Sequence, residues 1–460
     1  MRKHSRMNYI FCVLVILFAA CKKNETISQT IASKPETPTV ETPPNPVAAG
    51  PSYSKTYEVG TGSGDLVING SAYTLGGTVL FKIKGGSYKS IKIANIDAGS
   101  NGLVTIQNNG LVEMVNAEMR LENLNGVLLS GNGTSGIEKG FVFRDNSYRA
   151  IQVDGTINNF TLQYISFKNI ADYVFTYKYQ KVYDGSASSY SQNLRFLYID
   201  CDNTSTFFAG DGGVAGQIVG LLKKVEIAYL NFKNSPSVGS VVYFGNVEDA
   251  DLHNNTINNI NTSNNNHNGI FMVKGNGKFY NNYITNHQGN AIRAWLFSVG
   301  SSPKSILIYN NIVFNSRKYS PFEVQSFDTD IRSGVTTYAN AKVFYNTAGN
   351  INTSSQWQGN MVDVYSLKGG SCDVYNNLAF NFKNQDTEKV YFAGQQSDLK
   401  ATESNNLYFN NSKDAGLLDE AKFKLSATSA AKSNARYDSS ITTDFYGVTR
   451  SNTPSVGAVE

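Results

Sequence analysis

Charge is scarce in this chain of 460 residues: Lys, Arg, Asp and Glu together make up 17% of it, and the formal net charge is +4. So small a balance offers neither a basic field for nucleic acid nor an acidic tail, and recognition through neutral polar groups is expected instead. Cysteine is almost missing. Of the four cysteines, Cys12 and Cys21 belong to the N-terminal apolar run, so only Cys201 and Cys372 remain for the body, which excludes a disulfide framework. Proline is withheld from the body too, with six of ten falling between Pro35 and Pro51. The few histidines are too scattered to form a zinc set. The glycine-rich stretch Phe207 to Gly216 lacks the strand, Lys and helix context of a phosphate loop, and no GxSxG elbow supports esterase chemistry. What the chain does contain is 40 glycines, 27 tyrosines and abundant Asn, Ser and Thr, the composition of an all-β protein with many turns.

The N-terminus reads as an address. Arg2 and Lys3 precede the apolar run YIFCVLVILFAA, which is short for a spanning helix and suits a signal peptide. Phe18-Ala19-Ala20-Cys21 resembles a bacterial lipobox, with Phe in place of the usual Leu. That resemblance implies cleavage before Cys21, lipid attachment to its sulfur, and anchoring at the bacterial outer membrane, facing the cell surface. A proline-rich polar tether follows. The expected organisation is thus a leader over 1–20, a tether over 21–55 and a folded domain over 56–460, opening with N-terminal coils at 56–115 and ending in a closing segment at 420–460.

One phrase recurs along the body. LHNNTINNI, FYNNYITNH, IYNNIVFNS, VYNNLAFNF and SNNLYFNN align on Asn259, Asn286, Asn315, Asn381 and Asn410, and LQYISFKN, FLYIDCDN and AYLNFKN on Asn169, Asn203 and Asn234. VFYNTAGNI, around Asn346, fills the gap. A loose period of roughly 30 residues built from strands predicts a single right-handed parallel β-helix. The leucine consensus of leucine-rich repeats and the signatures of propellers are both missing. Two residues before each marker stand Phe167, Cys201, Phe232, Ile257, Ile284, Val313 and Ala379, an apolar stack for the interior. Four residues before it, Ile165, Ile199 and Leu230 give way to Asn255, Asn282, Asn311, Asn377 and Asn406, which predicts stacked asparagine ladders of a structural kind.

Gly76 to Gly110 resembles the opening coils of pectate-lyase-like β-helix proteins, and Asp444 to Arg450 with Pro454 to Glu460 is similar to a closing segment common on such bacterial proteins. These likenesses imply the fold and leave the chemistry open.

Between the repeats lie YVFTY, VVYFG, IFMVK, AIRAW, PFEVQ, MVDVY and KVYFA. Aligning their apolar residues places Phe175, Tyr243, Met272, Arg293, Glu323, Asp363 and Tyr391 at one outward position. Tyr177, Gly245, Lys274, Trp295, Gln325, Tyr365 and Ala393 fall at the next. Stacked rungs would gather these side chains into one patch. A structural salt-bridge ladder of Arg293, Glu323 and Asp363 is one reading. The functional reading is a polysaccharide groove, with Tyr177, Tyr243, Trp295, Gln325, Tyr365 and Tyr391 as sugar contacts.

Two chemistries fit such a groove. β-Elimination on a uronate-containing glycan needs a base for the C5 proton and an acid for the leaving oxygen, roles for Lys274 and Arg293. NGIFMVKG followed by NHQGNAIRAW resembles a region of the chondroitinase B and alginate lyase family, which implies Lys274 as base and Arg293 as acid. The chain departs from that family at Gly269, where the family has an acidic calcium ligand, and at Ala294, where it has His. Calcium is the one cofactor considered, with Asp328 and Asp330, or Asp249 and Asp251, as ligands. The second chemistry is glycoside hydrolysis by Glu323 and Asp363. The alternative to an enzyme is a glycan-binding or adhesive surface protein, probed by loss of binding on removing Trp295. His253, His267 and His287 are expected on turns near the patch, as proton shuttles or surface groups. A monomer is expected.

Overall fold

The computed structural model describes residues 52–212, 217–384, 391–396 and 401–460. The leader, Cys21, the tether up to residue 51 and parts of the Phe207–Gly216 and Lys389–Ala393 stretches lie outside the described residues. From Lys55 onward, 26 strands pair in parallel with their counterparts on neighbouring coils and join into one continuous sheet wound as a parallel β-helix, while Ser298–Val299 with Thr336–Thr337 and Leu417–Asp419 with Lys424–Leu425 pair antiparallel outside it. Among the described residues, helix is limited to three 3-10 turns.

The interior is stacked as the repeat predicts. Phe167, Cys201, Phe232, Ile257, Ile284 and Val313 are in register rung upon rung, Ala348 and Ala379 complete the column, and all are at most 1% exposed. Beside this column the core changes character. Leu230 donates its N–H to Asn255 Oδ1 (3.0 Å), and from there an unbroken ladder runs through Asn282, Asn311, Asn346, Asn377 and Asn406, each Nδ2 bonded to the next Oδ1 at 2.9 to 3.1 Å. Asn282 shows why amides suit the place. Its two N–H groups reach Leu252 O and Asn311 Oδ1, while its Oδ1 accepts from Asn255 N and Nδ2, so every donor and lone pair is used.

Asn346 therefore belongs to the inner ladder. The turn asparagine of that copy is Asn350, left-handed at φ 52° like Asn286, Asn315 and Asn381. Asn tolerates this region because its side chain hydrogen-bonds locally, and here the turn amides form a second ladder, with Asn315 on Asn286 and Asn381 on Asn350, each at 2.6 Å. On the outer flank Tyr164, Tyr198 and Tyr229 stack nearly parallel, as do Tyr280 and Tyr309. The closing segment lies along the same side of the solenoid. Val456, Ala458 and Phe423 pack on Tyr283, Ile312 and Leu378, and Gly457 N bonds Asn376 O at 2.9 Å.

Candidate functional site

The strands that carry the patch are Phe175–Tyr177, Phe208–Gly210, Val242–His253, Gly269–Tyr280, Asn290–Leu296, Phe322–Ser326, Val362–Leu367 and Ala393–Gln396. Their register puts Tyr243, Met272, Arg293, Glu323 and Asp363 in one row, on successive rungs about 4.8 Å apart. Inward neighbours such as Ile292 and Val324 are fully buried.

At both ends the row differs from the sequence reading. Phe175 and Tyr177 face inward, in line with Phe208, Val242 and Phe244; the outward residue of their strand is Thr176. Tyr177 is 1% exposed and its hydroxyl accepts the Ile157 N–H (3.1 Å), so it is no platform for sugar. At the other end the residue paired with Asp363 is Gly394; Tyr391 precedes the strand and lies on the rim. Ala393 pairs with inward Val362 and is itself buried.

The outward face is not an open surface. Connections between rungs fold over it and enclose a pocket of about 950 Å³ against Arg293, Glu323, Gln325 and Asp363. Its walls come from His267 on the 261–268 connection and from Trp357 and Asn360 on the 352–361 connection, with Tyr365 and Tyr391 at the mouth, 49% and 44% exposed. Arg317 staples the first wall by bonding Asn261 O (3.1 Å), Asn264 O and Asn265 Oδ1. His267 then stacks on Tyr319 at 4.2 Å and packs against Trp357.

Glu323 is fully buried and held from three sides. Arg293 Nε bonds Oε1 at 2.7 Å, Gln325 donates to the same oxygen, and His267 Nε2 stands 2.7 Å from Oε2. That nitrogen is engaged with Asn290 Oδ1 at 2.9 Å, so Oε2 is left buried with no hydrogen bond of its own. Arg293 Nη1 is fixed in turn by His267 O (3.0 Å). A side chain at Gly269 would meet Arg293 Cβ at 2.5 Å; the position that carries an acid in the lyases this stretch resembles is the space Arg293 needs.

Asp363, one rung on, has a different setting. Asn360 Nδ2 bonds Oδ1 (3.0 Å) and Trp357 Nε1 bonds Oδ2 (3.3 Å). Burial pushes its carboxyl up to about 6, with the Glu323 charge adding to the rise and the two hydrogen bonds opposing it. A side chain at Gly394 would run into the Asn360 amide, so glycine there clears room for the group that orients Asp363.

The remaining expected site residues separate from this pocket. Lys274 is in register with Trp295, but its Nζ is bonded to Asp330 Oδ1 at 2.7 Å and sits over the Phe297 ring, and neither it nor Trp295 nor Tyr243 lines the pocket. Lys274, expected as the base, is thus paired with Asp330 and lies apart from this pocket. Trp295 packs edge-on against Phe327. Of the calcium candidates, Asp330 is bonded to Lys274, Asp328 to the Tyr338 hydroxyl (2.6 Å) and Asp249 to Lys304 (3.3 Å), while Asp251 keeps one buried oxygen without a hydrogen bond. Among the described residues, no three acidic, His or Cys side chains gather as a metal set. Of the histidines, only His267 reaches the site. His253 stacks on Tyr280 and pairs with Glu226 (3.4 Å) on the outer flank, and His287 is buried in the solenoid with neither nitrogen hydrogen-bonded. Trp357, Asn360 and Tyr319 escaped the sequence reading because they lie outside the repeat frame; one of only two tryptophans, placed six residues before a row carboxylate, was the available signal.

The fold and site thus define a parallel β-helix protein with a carboxylate pocket rimmed by aromatics. No protein family matches the chain, and no curated protein does. Solved structures to which the chain is similar include two at 13% identity. Pectate lyase Pel9A is 13% identical over 90% of this chain and 98% of its own, with a TM-score of 0.39. The PL6 family polysaccharide lyase Pedsa3628 from Pseudopedobacter saltans is 13% identical over 85% of this chain and 98% of its own, with a TM-score of 0.29. No residue role is taken from either.

Proposed function

We propose that the protein binds a polysaccharide across this pocket and hydrolyses a glycosidic bond, with Asp363 as general acid and Glu323 as its carboxylate partner. One observation carries the reading: two carboxylates on neighbouring rungs sit in opposed environments. Burial keeps a proton on Asp363 up to about pH 6, while the Glu323 carboxylate accepts hydrogen bonds from Arg293 and Gln325. Asp363 protonates the leaving oxygen as the bond breaks. Glu323 forms a bond to the anomeric carbon as the bond to the leaving oxygen breaks, and water, giving its proton to the Asp363 carboxylate, then displaces Glu323. Adjacent rungs give the roughly 5 Å separation of a retaining pair, so retention of anomeric configuration is expected. Tyr365 and Tyr391 present ring faces for sugar at the mouth.

The test is release of new reducing ends from a glycan panel by the wild type, Glu323→Gln and Asp363→Asn, with absorbance from a C4–C5 double bond followed in parallel. Hydrolysis predicts new ends without absorbance, and a loss on the order of 10²- to 10⁴-fold in each variant with binding retained. Absorbance would return the assignment to β-elimination with a base other than Lys274; binding without turnover would leave a surface glycan-binding protein. The export and lipid anchoring implied by Cys21 are carried forward as part of the proposal, checked by fatty-acid labelling of the full chain and its loss in Cys21→Ala.

A further inference from the structure

The charge of the pocket bears on which sugars it admits. Arg293 is the one permanent cation among the described residues that line it, and its charge is met at 2.7 Å by Glu323. Lys274, the next cation along the face, is held by Asp330. Against these stand three lining carboxyls, Glu323, Asp363 and Glu403, the last with an exposed side chain that accepts the Ala393 N–H (2.7 Å). Among the described lining residues, a polymer with a carboxylate on each sugar would meet carboxyl groups and no unpaired guanidinium or ammonium to bind it.

We infer that the pocket takes an uncharged glycan and refuses uronate chains. The reading rests on the pocket being the glycan site and fixes the class of substrate that site accepts. An amine-bearing sugar fits less well, because an ammonium beside Asp363 would favour loss of the proton that the acid role requires. Neutral hydroxyls, by contrast, find a set of polar partners in Gln325, Asn360 and the His267 ring, with Tyr365 as a stacking face.

The experiment measures binding, so that it stands apart from turnover. Full-length protein in detergent is run through native gels containing neutral polymers (xylan, galactan, mannan, β-glucan) or uronate polymers (alginate, polygalacturonate, chondroitin), at 50 and 500 mM salt. Expected are retardation by a neutral polymer, changed less than twofold by salt, an at least tenfold weakening in Tyr365→Ala, and no retardation by uronates. Tyr365 is half exposed, so the variant keeps the fold. Salt-sensitive retardation by a uronate polymer that Tyr365→Ala abolishes would overturn the charge inference while keeping the pocket. No retardation by any polymer would overturn both.

Discussion

Glu323 and Asp363 are one rung apart and chemically unlike, and the difference comes from what each touches. Arg293 supplies charge to one; the other is bonded by neutral groups, the Trp357 indole and the Asn360 amide among them. A pH profile should show it: kcat is expected to fall as pH rises through about 6, because Asp363 then loses the proton it must donate, and Asp363→Asn would abolish that limb together with the rate. His287 makes a second prediction. Burial with no partner depresses its pKa to about 3, so between that value and the ordinary 6.5 the unfolded chain binds the extra proton and stability falls on acidification. Replacing it, His287→Leu, should remove that slope, sparing roughly 3 kcal/mol of the loss between pH 7 and 4, read from guanidinium midpoints of both proteins.

At the scale of the strand and its turns, the inner ladder is the strongest constraint. Asn282→Ala would leave the Asn255 amide, the Asn311 carbonyl oxygen and Leu252 O short of partners in a dry interior, a cost of about 2–4 kcal/mol in chemical denaturation. The outer turn is softer. Asn315 is left-handed at φ 58° and exposed, so Asn315→Gly should be nearly neutral, while Asn315→Ala costs about 1 kcal/mol. The same elements show what could be read from residues alone. The apolar column, the change to asparagine and the row Tyr243, Met272, Arg293, Glu323, Asp363 all follow from one repeat with alternating sides. The row failed at its ends, where YVFTY carries apolar residues on both faces and the last strand begins only at Ala393, after Tyr391, so alternation no longer says which side is out. The walls were illegible for a different reason: connections such as 352–361 have no period, and Trp357 and Asn360 acquire their meaning only from the carboxylate they fold against.

For the whole molecule, the closing segment decides more than its irregular structure suggests. It covers Tyr283, Ile312, Leu378 and Phe380, and with the Ala458 N–H bonded to Thr347 Oγ1 (2.8 Å) it reaches four successive coils. Deleting 420–460 would bare that apolar strip, and dye binding, aggregation and a lowered Tm are the expected outcome. Arg450 is buried here against Glu460 (3.1 Å) and Asn310 (2.8 Å), which pins the end of the chain to a coil 140 residues earlier. The asparagine ladder has a different bearing on size. Each amide is satisfied by the coil before and the coil after, and none by the length of the column. A coil that brings its own asparagine can be added or removed and leave the hydrogen bonding of its neighbours as it was. The number of rungs is therefore open to change by duplication, while the pocket, whose walls depend on particular connections, is not.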